Sequence, residues 1–325
     1  MKKEYLILAV IIAVLVGYLA FHDSDRTGYE LPTLAAVSPK KITRLEIVQG
    51  DTTLTLDKKD DQWRINEPGY PADETNVKRM LTVIEDLTLT TLISASKSYA
   101  RYDLTPVKQI SIKAWVGQDL IRDFQIGKIA DTYQHTFVKL AQDSNVYHAR
   151  GNFRNNFDQT EAQLRDKTVL SFNKADINEI VLSRQDDTLT LRKETLPVEL
   201  EDAAKDDKTE AKSPETKTRW QTPDGRVHND DDVDMLLSKL YQLNCDSYPT
   251  DGKKEDVENP SYTLTLKGNQ THTLSLFNPG ESETEYPATS SANAYLFKLS
   301  KYNADGITGK VDTLMSPKET TTEKI

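Results

Sequence analysis

The chain has 325 residues, and beyond roughly 250–300 residues single cores stop growing, so two domains are expected. Its hydrophobic fraction of 37%, about 41% with the 13 glycines, falls below the roughly 45–50% of an average soluble domain and excludes a multi-span membrane protein. With 41 basic and 51 acidic residues the net charge is −10, which repels phosphate backbones and excludes nucleic acid as an expected partner, and the one cysteine, Cys245, makes neither an intramolecular disulfide nor a cysteine zinc site.

The N-terminus reads Met1-Lys2-Lys3-Glu4 and then the uncharged run YLILAVIIAVLVGYLAF, Tyr5 to Phe21. As a helix this run spans about 26 Å, the short end of what crosses a bilayer core of roughly 30 Å. Tyr5, Tyr18 and Phe21 stand at its ends, where amphipathic rings favour the interface. A cleaved signal peptide would want small residues before the cut, and Tyr18 stands where one is needed. The run therefore reads as an uncleaved transmembrane anchor. Residues 1–4, carrying Lys2 and Lys3, are expected to stay in the cytoplasm, with residues 22–33 as a linker and the bulk of the chain outside the membrane.

The rest is organised by an internal duplication. ITRLEIVQGDTTLTL from Ile42 and INEIVLSRQDDTLTL from Ile177 place apolar residues in step: Leu45 with Ile180, Ile47 with Leu182, Leu54 with Leu189 and Leu56 with Leu191. Their alternation is that of half-buried strands, so each copy opens with a hairpin. Trp63 and Trp220 follow. A helix comes next: after Asp73 the stripe Val77, Met80, Leu81, Ile84, Leu87, and after Asn229 or Asp230 the stripe Val233, Leu236, Leu237, Leu240, Leu243. Short strands end each copy, at Ile110–Ile112, Phe124–Ile126 and Phe137–Leu140, then at Leu264–Leu266, Leu274–Phe277 and Tyr295–Leu299. Strands on both sides of one helix, without βαβ alternation, predict an α+β fold: two tandem copies of an antiparallel sheet plus helix unit, preceded by one transmembrane helix. The first copy is placed at 34–150 and the second at 171–315, with a connecting helix at 151–170. The acidic stretch 194–218 and the tail 316–325 are expected to be disordered.

GYELP at Gly28–Pro32, the hairpin followed by Trp63, Pro71-Ala72-Asp73 before the helix, and Leu164-Arg165-Asp166-Lys167 resemble the bacterial domain-of-unknown-function family numbered 4340. The resemblance covers the chain from about Leu31 to Leu314. It implies a membrane-anchored extracytoplasmic protein of repeated α+β units, often encoded beside ABC transporters of the auxiliary, gliding-motility type. It carries over no catalytic residue. The second copy departs from it in the acidic insert and in Val227-His228-Asn229 where Pro71-Ala72-Asp73 stands.

The chain lacks a G-x-S-x-G elbow, a phosphate-binding glycine loop and an H-E-x-x-H helix. His135 and His148 flank one predicted hairpin and could share a metal if the register put both on one face beside a carboxylate, but their spacing matches no ligand pattern and two solvent-facing strand histidines are the favoured reading. Asp230, Asp231, Asp232 and Asp234 form the densest carboxylate cluster, which a first helical turn favours through its dipole without any calcium. Trp63 and Trp220 could form an aromatic platform, but equivalent placement in two copies reads as core. Asn278–Ala294, with Tyr286 and Pro287 at its centre, reads as a long polar loop.

No catalytic, cofactor-binding or metal residue is assigned, and no cofactor is expected. The sequence points to a non-catalytic binding or scaffold subunit on the cytoplasmic membrane, facing the periplasm. Its partners would be the bilayer, through Tyr5–Phe21, and ABC-transporter membrane subunits or other envelope proteins. The alternative is an envelope enzyme acting on cell-wall or polysaccharide substrate in a cleft between the units.

Overall fold

The structure is a computed structural model that describes residues 10–18, 29–197, 216–249, 252–280 and 284–316. Residues 10–18 are helical (α1) and exposed. The remainder of Tyr5–Phe21 and the tail after Ser316 lie outside the described residues. No helix among the described residues is long and apolar enough to cross a membrane. The chain divides into two compact units, Met1–Arg165 and Asp166–Ile325.

In the first unit, β1 (Arg44–Gln49), β2 (Thr52–Lys59), β3 (Gln62–Ile65) and β4 (Tyr70–Pro71) lead into α2 (Glu74–Asp86). Then come β5 (Leu89–Ser94), β6 (Ile110–Val116), β7 (Asp119–Ile129), β8 (His135–Leu140), β9 (Val146–Arg150), α3 (Arg154–Phe157) and α4 (Glu161–Leu164). The described strands form one antiparallel sheet in the order β4-β3-β2-β1-β6-β7-β8-β9-β5. The alternation seen in the sequence sets its register. Leu45 pairs with Leu56 and Ile47 with Leu54, all four are buried, and Ile112 and Phe124 continue the same apolar row. Asp73 caps α2 by accepting from the Asn76 amide at 2.7 Å, a contact of about 1 kcal/mol. The helix buries Val77, Met80 and Ile84 in the core with those strands.

A smaller cluster of Leu104, Ala130, Phe137 and Val146 is packed by Tyr99 and Tyr102 of the 3-10 turn Tyr99–Tyr102. It forms where β7 departs from regular pairing, between Ile126 and Ile129. Arg154 holds the departure by donating to the carbonyls of Ile126 at 3.2 Å, Gly127 at 2.8 Å and Lys108 at 2.8 Å.

The second unit contains β10 (Thr168–Ser171), β11 (Glu179–Arg184), β12 (Asp187–Pro197), β13 (Thr216–Gln221), β14 (Val227–His228), α5 (Asp230–Leu240) and β15 (Gln242–Asn244). It is completed by β16 (Tyr262–Lys267), β17 (Thr271–Leu276), β18 (Glu285–Ser290), β19 (Phe297–Ser300) and α6 (Lys301–Met315). Its main sheet runs β14-β13-β12-β11-β16-β17-β18-β19, the order of the first sheet without its β5 edge. The strand after the helix, β15, pairs with β10, and Ser247 beyond it bridges to Lys298 of β19. The fold is thus α+β, built mostly of antiparallel sheet.

Three expectations need correction. The single helix expected over 151–170 is two one-turn helices, α3 and α4, followed by β10. The Thr160–Gln163 capping box starts a new turn there instead of continuing an old one. The acidic insert is strand at both ends, because β12 and β13 stay paired from Glu194 with Arg219 out to Pro197 with Thr216. Tyr286 and Pro287 lie in β18, not in a loop. Ala288 and Ser290 are buried there, and the Phe277 amide donates to the Pro287 carbonyl at 2.9 Å.

Candidate functional site

The equivalent turn, strand pair and helix frame the same place in both units, and the polar residues there differ. Each frame begins with a one-turn 3-10 helix just before the first strand, Pro39–Lys41 in one unit and Lys174–Asp176 in the other. Opposite it stands the outward side of α2 or α5. On the floor, Trp63 pairs with Lys58 and Trp220 with Lys193 across their strands. Residues directly opposed in a ladder share a face, so each lysine projects on the same side as its indole.

In the second unit Lys174 Nζ donates to Asp234 Oδ1 and to Ser238 Oγ, both at 2.9 Å, tying the turn to the helix. By the alignment of the turns and of the helix caps, these three positions are Pro39, Lys78 and Thr82 in the first unit. Proline has no ammonium and Lys78 repels cations where Asp234 attracts one, so no such tie forms. The first unit has instead a groove of about 630 Å³ lined by Pro39, Lys40, Lys58, Trp63, Lys78, Leu81, Thr82 and Glu85, with Ser38 at its end. Lys40, Lys78 and Glu85 are exposed, while Leu81 is half-buried. Lys58 pairs with Asp61 at 3.0 Å, but the Asp61 side chain is 96% exposed, so solvent screens the pair.

Trp63 and Trp220 are core residues, 7% and 6% exposed, and neither offers a platform. His135 and His148 do meet, on adjacent strands, with rings stacked 5.0 Å apart and 16° from parallel. They are half-buried rather than solvent-facing. Phe137 lies 4.7 Å from His148 on the same face, and His148 Nε2 is buried without a hydrogen-bond partner. Burial first, and His135 second, push the His148 imidazole below its usual range. Among the described residues no three His, Cys, Asp or Glu side chains are grouped to hold a metal. The Asp230 carboxylate accepts from the Trp220 amide at 3.0 Å, and Asp234 is engaged by Lys174, so the acidic cluster ties the helix start to its surroundings.

Sequence reasoning missed the groove because Lys40, Lys58 and Lys78 carry no motif. The only available signal was the comparison of copies, and the hairpin aligns at an offset of 135 but the helix at 156.

The fold defines an α+β protein of two similar units. The chain belongs to the family described as a domain of unknown function (DUF4340), whose sequence model matches residues 63–260, from β3 of the first unit to the residue pair before β16 of the second. Searches of curated proteins and of solved structures return no match.

Proposed function

We propose that this protein is a non-catalytic binding subunit, anchored by Tyr5–Phe21 in the cytoplasmic membrane, that presents its two units on the extracytoplasmic side to an envelope complex such as an ABC transporter. The supporting observation is the contrast between the copies. Core residues of the hairpin and helix recur in both copies, Leu45 with Ile180, Leu56 with Leu191, Val77 with Val233 and Ile84 with Leu240, whereas the groove residues Pro39 and Lys78 on one side and Lys174 and Asp234 on the other do not. A duplicated framework that keeps one groove tied and leaves the other open fits a scaffold that has specialised one copy for a ligand. The anchor is supported by the charge pattern, with Lys2 and Lys3 before the apolar run and Asp23 and Asp25 after it.

The test is in-membrane crosslinking followed by purification of the full-length protein. Recovery of transporter or other envelope membrane proteins supports the reading. Recovery of glycan alone, with release of cleaved saccharide on incubation, overturns it in favour of an envelope enzyme.

A further inference from the structure

We propose that the open groove of the first unit, between the turn Pro39–Lys41, the β2–β3 hairpin and α2, binds a phosphomonoester carried on an apolar body. The proposal deepens the binding reading above and takes from it only that a unit holds a ligand.

The second unit shows what this groove looks like when it serves structure alone. Lys174 crosses it and is neutralised by Asp234, with Ser238 taking a second hydrogen bond. The first unit reverses the arrangement. The crossing lysine is replaced by Pro39, the neutralising carboxylate by Lys78, and a further ammonium, Lys40, stands where the second unit has Ala175. Three ammonium groups, from Lys40, Lys58 and Lys78, therefore border one groove on three different elements, with Glu85 as the single carboxylate of its lining.

The formal charge of that lining is +2, in a chain of net charge −10. A phosphomonoester carries about −1.5 to −2 at pH 7, which matches it. Lysine suits such a group because its compact ammonium offers three donors and binds phosphate oxygens as a point charge. Asp61 and Glu74 line a smaller adjoining depression of about 340 Å³ that shares Lys58, Trp63, Lys78 and Leu81 with the groove. Asp61 engages Lys58, but with the Asp61 side chain 96% exposed the pair is weak enough to yield to a dianion, and Lys40 faces neither Asp61 nor Glu74 in that depression.

The apolar half of the ligand is set by Pro39 and Leu81, which contribute hydrocarbon and no further charge above the nearly buried edge of Trp63. A volume of about 630 Å³ falls in the range of roughly 300–1,000 Å³ that holds small molecules. A bare anion would leave this apolar wall wet, and a neutral apolar ligand would leave three lysines unused. The same phosphate chemistry is offered by a soluble phosphate ester and by the headgroup of a phosphatidic-acid lipid.

The test uses the full-length protein in neutral detergent micelles, titrated calorimetrically with 1-naphthyl phosphate, and with 1-naphthol as the uncharged control. Saturable binding of the phosphate and about tenfold or greater preference over the naphthol is expected. Lys40→Gln with Lys78→Gln should weaken binding about tenfold or more. Pro39→Lys with Lys78→Asp, which rebuilds the tie of the second unit, should abolish it. Lys174→Gln with Asp234→Asn should leave it unchanged. Lys40 and Lys78 are exposed, so the glutamine pair keeps its fold and decides the matter even if the rebuilt pair does not.

Two competition arms separate the sources. Displacement of the probe by micelles doped with phosphatidic acid, and not with phosphatidylcholine, assigns a lipid headgroup; displacement by soluble phenyl phosphate alone assigns a soluble ester. Equal binding of naphthol and naphthyl phosphate, or unchanged affinity in the glutamine pair, overturns the proposal. A failed titration beside recovered envelope partners sinks this site and leaves the binding reading standing.

Discussion

The carbonyl oxygen of Tyr102 rests against the α-carbon of Gly127, so closely that a Cβ at position 127 would fall well under 3.0 Å from it and at 3.0 Å from the Leu104 side chain. The approach seats the 3-10 turn Tyr99–Tyr102 on the sheet and closes the small cluster around Phe137. Backbone cannot retreat as a side chain can. Gly127→Ala is therefore expected to cost about 1–3 kcal/mol or more, through a displaced turn and a loosened cluster. Gly309 is the contrast, because it lies within α6 with open space around it. Gly309→Ala should stabilise by roughly 0.5–1 kcal/mol. Urea midpoints of both variants check the pair, and an undisturbed Gly127→Ala would show that the turn is not held there.

Much of this fold could be read from period alone, and the failures have identifiable physical causes. Hairpins with Leu45, Ile47, Leu54 and Leu56, and their partners in the second copy, gave themselves away because one face is dry and the other wet. Helix α6 was missed although Ala304, Ile307, Val311 and Leu314 are spaced three or four apart and Ser300 caps it. Gly306 and Gly309 interrupt the pattern with residues that disfavour helix, and packing on α5 overrides them. Strand β18 was hidden by Tyr286-Pro287, since a proline argues against an interior strand. The contrast between the open groove and its tied counterpart depends on Lys174 reaching Asp234, 60 residues away, a relation that no local pattern contains.

The cores of the two units should answer alike to the same insult. Met80 in α2 and Leu236 in α5 are equivalent by their caps, and each is fully buried. Truncation to alanine removes several methylene groups and leaves a cavity that rigid sheet on one side cannot fill. Met80→Ala and Leu236→Ala are each expected to cost about 2–5 kcal/mol. Thermal denaturation reads the effect. A loss below about 1 kcal/mol in either would mean that its helix can slide to refill the space.

Acid should weaken the first unit at His148. Burial against Phe137, and then the neighbouring His135 ring, hold its imidazole pKa below the ordinary 6.5. In the pH range just under 6.5 the unfolded chain therefore binds a proton that the folded chain refuses. Stability is present above that value and is lost as pH falls below it. Urea midpoints measured at pH 7.5 and 5.5 should drop further for the natural chain than for His148→Gln, which has nothing to titrate there. Equal drops would show that the stacked pair is solvated well enough to charge freely.

The acidic insert should be dispensable to the fold of the second unit. Its two ends are already paired as β12 and β13 through Pro197 with Thr216, and Arg219 grips Glu194 Oε2 through Nε at 3.0 Å and Nη2 at 2.7 Å. The pairing that matters for the core lies further in, where Trp220 and Leu191 are buried. Replacing residues 198–215 by Asn-Gly joins the strands with a two-residue turn whose twist suits a hairpin, and it shortens the loop that folding must close. The thermal midpoint should stay the same or rise slightly, by the equivalent of about 1 kcal/mol at most. A marked fall would mean that the acidic stretch makes stabilising contacts of its own, and that its seven carboxylates act as more than a solvated spacer.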